Sequence, residues 1–256
     1  MTMGHASYMQ IIAAGNHGLY TLAVAMGGIV GAWLIRSDAR EWKVKPGEKR
    51  NIYIACLVGS LLGSALPAFI AGDFVEWQAF HFLIGPKTII GGLLFGFVFV
   101  ALYKRLAAVT YDTSDAFARG TALMMAIGRL GCFAGHCCFG QISPTFGMDF
   151  GDGVPRIPIQ LIESAFLFSL FFLLNTFHRR HLFLHRRFFL LFVVYGMGRF
   201  VLELWRAPIS SVFFGINFYQ WLALLLSAVG LYQIAQRNRL YSVPSLLSQS
   251  RLETES

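Results

Sequence analysis

The apolar residues of this chain come in seven runs, each long enough to cross a lipid hydrocarbon layer, near 10 to 35, 51 to 71, 88 to 104, 118 to 135, 159 to 176, 188 to 205 and 215 to 235. A layer roughly 30 Å thick needs about 20 helical residues. Hydrocarbon offers the backbone no hydrogen-bond partner, so each run must be a helix, and runs this long without alternation exclude barrel strands. A chain with 56% hydrophobic and only 13% charged residues is also far from the balance of a soluble globular domain. The predicted fold is an all-α polytopic membrane protein with seven transmembrane helices.

Loop charge predicts the orientation, because short loops rich in Lys and Arg stay cytoplasmic. Counted alternately, one side holds the basic residues between 36 and 50, 104 and 119, 179 and 187, and 237 and 251. The other side holds Lys87, Arg156 and Arg206, while Arg129 and Arg199 fall inside predicted helices. The N-terminus is therefore expected outside and the C-terminus in the cytoplasm. The opening "MTMGHASYM" lacks the basic residues of a signal peptide, so the first helix is expected to stay in the mature protein. No internal repeat is evident. The expected organisation is one seven-helix domain over 1–240 and a polar, unstructured cytoplasmic tail over 241–256. The net charge of +8 follows from this topology, with "HRRHLFLHRR" facing anionic headgroups, and calls for no nucleic-acid partner.

Charged side chains inside a spanning helix cost at least ~2.5 to 3.5 kcal/mol each, so they point to function or to a structural ion pair. Arg129 lies in the outer half of the fourth run, and Arg199, Glu203 and Arg206 at i, i+4 and i+7 should share one face of the sixth. An Arg199–Glu203 pair would neutralise itself and leave Arg206 free. In "RIPIQLIES", Pro158 suits a first helical turn, and Gln160 and Glu163 lie one turn apart at the outer end of the fifth run. All of these converge on the outer side, in a cleft whose guanidinium groups suit an anionic headgroup. The segment "QISPTFGMDFGDGVPRIP" is expected to be a loop over that mouth.

The stretch "GRLGCFAGHCCFG" adds Cys132, His136, Cys137 and Cys138 to this end, whereas Cys56 is alone in the second run and reads as a packing residue. The spacing C-x4-C-C matches no zinc pattern, and no metal is assigned. Cysteines five apart in an intact helix are too distant for a disulfide, although Gly131 and Gly135 could break the helix. A thiolate stabilised by Arg129 keeps a covalent role open.

Together these stretches resemble the bacterial prolipoprotein diacylglyceryl transferase family. Its signature, approximately G-R-x-G-N-F-x-N-G-E-x-x-G, is matched at Gly128, Arg129, Gly131, Phe133 and Gly140; its P-x-Q-L-Y-E at Pro158, Gln160, Leu161 and Glu163. Its Y-G-x-x-R-F-x-x-E-x-x-R is matched at Tyr195, Gly196, Arg199, Phe200, Glu203 and Arg206. Tyr20 looks like the family's helix-1 tyrosine, and Gly91 and Gly92 like its paired glycines. Three positions depart: Ile90 stands where the family has histidine, Cys132 where it has asparagine and Cys137 where it has glutamate.

The resemblance implies a seven-helix enzyme of the bacterial inner membrane. It would transfer a diacylglyceryl group from phosphatidylglycerol to the lipobox cysteine of a lipoprotein precursor, without metal or organic cofactor. By the same resemblance Arg129, Arg199 and Glu203 are catalytic, the arginines holding the phosphate leaving group and Glu203 orienting Arg199. Tyr20, Gly91, Gly92, Gly140, Gln160, Glu163 and Arg206 would bind substrate. If the family's histidine is the base that ionises the acceptor thiol, His17, His81 or His136 would have to replace it. The alternative expectation is a divergent thiol, disulfide or sulfur-handling protein that keeps the phospholipid cleft and uses Cys132, His136, Cys137 and Cys138.

Overall fold

The computed structural model describes residues 15–70, 87–206 and 212–254, the last of these from 241 onward by backbone alone. Among the described residues seven α-helices follow one another: α1 His17–Asp38, α2 Pro46–Ile70, α3 Ile89–Leu106, α4 Ala118–Ala134, α5 Ile159–Arg179, α6 Arg187–Leu202 and α7 Phe218–Thr254. Each overlaps one of the expected apolar runs. The expectations that fall on residues 1–14, which include the signal-peptide reading, and on His81 lie outside the described residues.

The fold is all-α, and five of these helices are long and apolar enough to cross a membrane: α1, α3, α5, α6 with its short continuation to Trp205, and α7 as far as Leu240. Two expected spans fall outside that set. Helix α4 has 17 residues, about 26 Å of rise, and contains Arg119 and Arg129. Helix α2 has 25 residues, with Gly-Glu-Lys-Arg in its polar first turn and a largely apolar remainder interrupted by Pro67. The tail also differs from expectation, because α7 continues through residues 241–254 as helical backbone. That stretch includes Pro244, which lacks the N–H of the helical ladder and costs about 3 kcal/mol inside a helix, so the extension is held by continuity with the bundle helix rather than by local propensity.

Close approach through glycine sets the helix pairs. Helix α1 packs on α4 where a Cβ on Gly31 would lie 2.9 Å from the Gly120 carbonyl oxygen, and one on Gly120 2.7 Å from that of Gly31. Gly63 and Gly91 make the equivalent backbone contact between α2 and α3. Small residues at crossing points let backbones meet and increase dispersion contact, the main attraction left between helices in lipid. Leu93, Ala122, Leu167, Phe189, Phe192, Tyr195 and Leu226 fill the core between α3, α4, α5, α6 and α7. Leu22, Ile29 and Trp33 on α1, by contrast, are exposed, as apolar side chains facing lipid would be.

One end of this bundle is held by ion pairs between elements. Arg119 pairs with Asp38 and donates to Asn175 Oδ1 at 2.9 Å; Arg187 meets Asp115 at 2.9 Å; Arg237 meets Asp112 at 3.3 Å. Asp112 lies in the α3–α4 connection. Burial works against its ionisation, but Arg237, the Ser114 N–H and hydroxyl, and Lys104 outweigh it and hold the carboxyl below its usual value. These residues belong to the side expected to be basic and cytoplasmic.

The opposite end is capped by residues 139–158. Met148–Asp149 (β1) pairs antiparallel with Pro155–Arg156 (β2), and Asp149 Oδ1 accepts from the N–H groups of Gly151, Asp152 and Gly153. A bridge from Ile142 to Arg156 closes the cap on itself, and one from Gly140 to Arg206 fastens it to the segment that follows α6. Val212–Phe213 (β3) and Ile216–Asn217 (β4) form a second hairpin before α7. The expected loop is therefore an ordered cap, and its Arg156 is buried, paired with Asp152 at 2.6 Å and set over the Phe139 ring.

Candidate functional site

Under this cap the structure gathers the charged residues of three helices. Glu163, on the second turn of α5 and 1% exposed, is the hub. Its Oε2 lies 3.0 Å from Arg129 Nε of α4 and 3.3 Å from Arg199 Nη1 of α6, while its Oε1 accepts from the Tyr195 hydroxyl at 2.9 Å. Arg199 Nη2 reaches Glu203 Oε2 at 2.7 Å, and Arg206 Nε stands 4.0 Å from the same oxygen. Burial of unpaired charge is costly, so a cluster this dry persists only because its members compensate one another.

Local chain geometry explains the positions. Pro158 caps α5, so Gln160 and Glu163 come from its first two turns. Helix α6 ends at Leu202 and passes into a 3-10 turn over Glu203–Trp205, after which Arg206 is extended and bridged to Gly140. This corrects the expected single helical face: Arg199 and Glu203 pair as i and i+4 residues do, but Arg206 reaches the cluster from the extended backbone after the 3-10 turn. The intrahelical neutralisation is also only half of the arrangement, since Arg199 contacts Glu163 as well.

Five buried polar atoms at this end have no hydrogen-bond partner among the described residues: Arg129 Nε, Gln160 Oε1, Glu203 Oε2 and Arg206 Nε in the cluster and His136 Nδ1 beside it. Arg129 Nε is close to Glu163, but the N–H is not aligned on it. Gln160, fully buried, donates its Nε2 to the Cys137 carbonyl at 2.6 Å and leaves its own oxygen unpaired. With three guanidinium groups against two carboxylates, the cluster has both spare donors and a surplus of positive charge.

The cysteines adjoin it. Helix α4 ends at Ala134, with Gly135 closing the last turn, and His136 and Cys138 adopt positive φ of 49° and 61°. That reversal folds Cys137 back so that its N–H donates to the Cys132 carbonyl at 3.1 Å. The Sγ atoms of Cys132, Cys137 and Cys138 all lie within 4.8 Å of one another. The separation expected of an intact helix therefore does not apply, because the helix stops between them. Hydrogen bonds from the thiols of Cys132 and Cys137 pull Cys138 well below the usual thiol value against its burial, with Arg206 and Arg129 adding to the effect. The bonds to Cys132 and Cys138 push Cys137 up. His136 stands edge-on to Phe150, ring centres 5.5 Å apart.

The remaining expected residues are placed as follows. Tyr20 of α1 packs against Gly135, where a Cβ would lie 3.2 Å from its Cδ2, and its helix is tied to α4 by the Asn16 N–H donating to the Ala134 carbonyl at 2.8 Å. Gly140 sits in the cap bridge, with no room for a side chain beneath the Trp205 carbonyl 2.7 Å away. Gly91 and Gly92 do not join the cluster; both are buried on the α3 face that meets α2. Ile90 is buried in the apolar core. His17 is exposed at the start of α1. Tyr195 was not among the expected site residues, although its place four residues before Arg199 puts it one turn away on the same face.

The family model of prolipoprotein diacylglyceryl transferases matches residues 10–236. A phosphatidylglycerol–prolipoprotein diacylglyceryl transferase of Streptococcus suis is 28% identical over 243 residues, 88% of this chain and 90% of the relative. One of Streptococcus pneumoniae is 27% identical over 235 residues, 86% of this chain and 89% of the relative. The buried Arg–Glu cluster thus lies within a match spanning nearly the whole chain, which belongs to the prolipoprotein diacylglyceryl transferase family.

Proposed function

We propose that this multi-pass membrane protein transfers the diacylglyceryl group of phosphatidylglycerol to the lipobox cysteine of a lipoprotein precursor, as the names of its relatives describe. It does so in the bacterial inner membrane, as a single domain of seven spans over 1–240. The N-terminus is outside, and residues 241–256 extend into the cytoplasm.

The unpartnered buried donors of Arg129 and Arg206 carry this reading. A phosphodiester supplies the acceptors those donors lack, and guanidinium binds it through paired N–H bonds that no proton loss can weaken. Arg129 and Arg199 hold the phosphate and offset the charge that develops as it leaves, a contribution that grows in the transition state. Glu163 and Glu203 fix the two guanidinium planes, Arg206 and Gln160 face the same headgroup, and Tyr20 contacts it from α1. Gly140 lets the cap backbone pass close beside it. Gly91 and Gly92 contribute through the close α2–α3 contact. The sulfur-handling alternative finds no support among the relatives.

The test is to incubate purified protein with phosphatidylglycerol and a lipobox peptide and to read the peptide mass. A thioether-linked diacylglyceryl adduct is expected, with none on a peptide whose cysteine is serine. An unmodified cysteine peptide from folded protein would refute the reading.

A further inference from the structure

We propose that Cys132, Cys137 and Cys138 form a three-thiolate site for a divalent cation of the zinc type, whose open fourth position takes the acceptor cysteine as thiolate. Zn–S bonds of about 2.3 Å place tetrahedral sulfur ligands about 3.8 Å apart. The three Sγ atoms, within 4.8 Å of one another, need less than about 1 Å of side-chain adjustment to reach that spacing. Three protein ligands with one position left open is the arrangement of catalytic rather than structural zinc sites.

The surroundings support a ligand site as well as a packing cluster. Two residues in the left-handed region, His136 and Cys138, are needed to fold the three thiols together, and such positions are retained only where neighbours determine them. Buried Gln160 holds the loop by its 2.6 Å bond to the Cys137 carbonyl, the kind of outer contact that orients metal ligands. Three thiolates around a divalent cation leave one negative charge. Arg129 and Arg206 lie near enough to Cys138 to interact with it electrostatically and offset that charge.

The second half of the proposal rests on the transfer reading. A thiol must lose its proton before it attacks carbon, and buried Ile90 can accept none. Coordination ionises the acceptor thiol instead, and its proton passes to solvent. The sulfur lone pair then forms the S–C bond to the glyceryl carbon, the C–O bond to phosphate breaks, and the electron pair leaves with glycerol phosphate. No oxidant or reductant is required.

The site is tested first without activity. Reduced, detergent-solubilised protein is loaded with Co²⁺ as a spectroscopic stand-in for Zn²⁺, dialysed and assayed for metal per chain. One equivalent and a thiolate-to-cobalt charge-transfer band are expected. Cys138→Ser and Cys132→Ser should retain at least about tenfold less, at unchanged helical circular dichroism, whereas Cys56→Ser should match the wild type. No retained cobalt, or equal retention by the serine variants, overturns the site. A lipobox peptide should then shift the cobalt bands while its serine version does not, and no shift overturns the fourth-ligand role. Transfer by rigorously metal-free protein would end the activation role but leave the transferase reading intact. Cobalt binding with no transfer would have the opposite meaning.

Discussion

Glu163 Oε2 is shared by two arginines of different helices, Arg129 Nε at 3.0 Å and Arg199 Nη1 at 3.3 Å, so a single carboxylate joins α4, α5 and α6. Removing it leaves two buried cations facing each other. Loss of one partner from a buried pair costs about 3–5 kcal/mol. Glu163→Ala should therefore lower the unfolding midpoint in detergent sharply, and Glu163→Gln, which keeps the shape and one of the two acceptor oxygens, by less. Equal midpoints for wild type and alanine variant would show that the cluster is not held by Glu163.

Tyr195 acts through Glu163, to which its hydroxyl donates at 2.9 Å. A buried hydrogen bond to a charged group contributes about 1.5–3 kcal/mol. Tyr195→Phe should lose stability in that range and lower turnover more than it changes apparent lipid affinity. Restoring activity by phosphate-group concentration alone would contradict this positioning role.

Glycines of α1 should respond according to what they touch. A Cβ on Gly31 would meet the Gly120 carbonyl at 2.9 Å, while nothing lies within 4 Å of one on Gly28. Gly31→Val should cost about 1–3 kcal/mol through overpacking. Gly28→Ala should be neutral or gain up to about 1 kcal/mol from helix propensity. Thermal unfolding of the pair reads the contrast directly.

At the other end of the bundle, the folded state holds Asp112 below its ordinary value, mainly through Arg237 and Ser114 working against burial. A group with a depressed folded value stabilises the protein above its unfolded value, roughly 3.9, and loses that contribution as pH falls through the folded one. Asp112→Asn should thus be less stable than wild type at pH 7, and the difference should shrink below about pH 4. Unfolding midpoints measured across pH test the sign.

Helix positions were readable from the sequence because lipid dictates both backbone conformation and run length, and the gathering of Arg129, Gln160, Glu163, Glu203 and Arg206 at one end of the bundle followed from counting runs. Partner choice was not readable in the same way. Arg199 contacts Glu163 across a helix boundary, and Arg206 reaches the cluster because α6 stops at Leu202. Hydropathy does not register such a stop. The thiol cluster was hidden for the same reason: an end at Ala134 and two positive-φ residues convert an unsuitable helical spacing into mutual contact. The half-buried ion pairs of Asp38, Asp112 and Asp115 depend on connections between helices, about which periodicity carries no information.

The most direct measurement compares wild type and Arg129→Ala, each verified as folded, in bilayer discs containing phosphatidylglycerol and a lipobox peptide, with the diacylglyceryl adduct quantified by mass spectrometry. The account predicts an adduct from the wild type and a rate at least about 10²-fold lower in the variant, the usual loss when one transition-state donor is removed. Folded wild type that forms no adduct, or a variant that matches it, would contradict the claim that the buried arginines serve diacylglyceryl transfer.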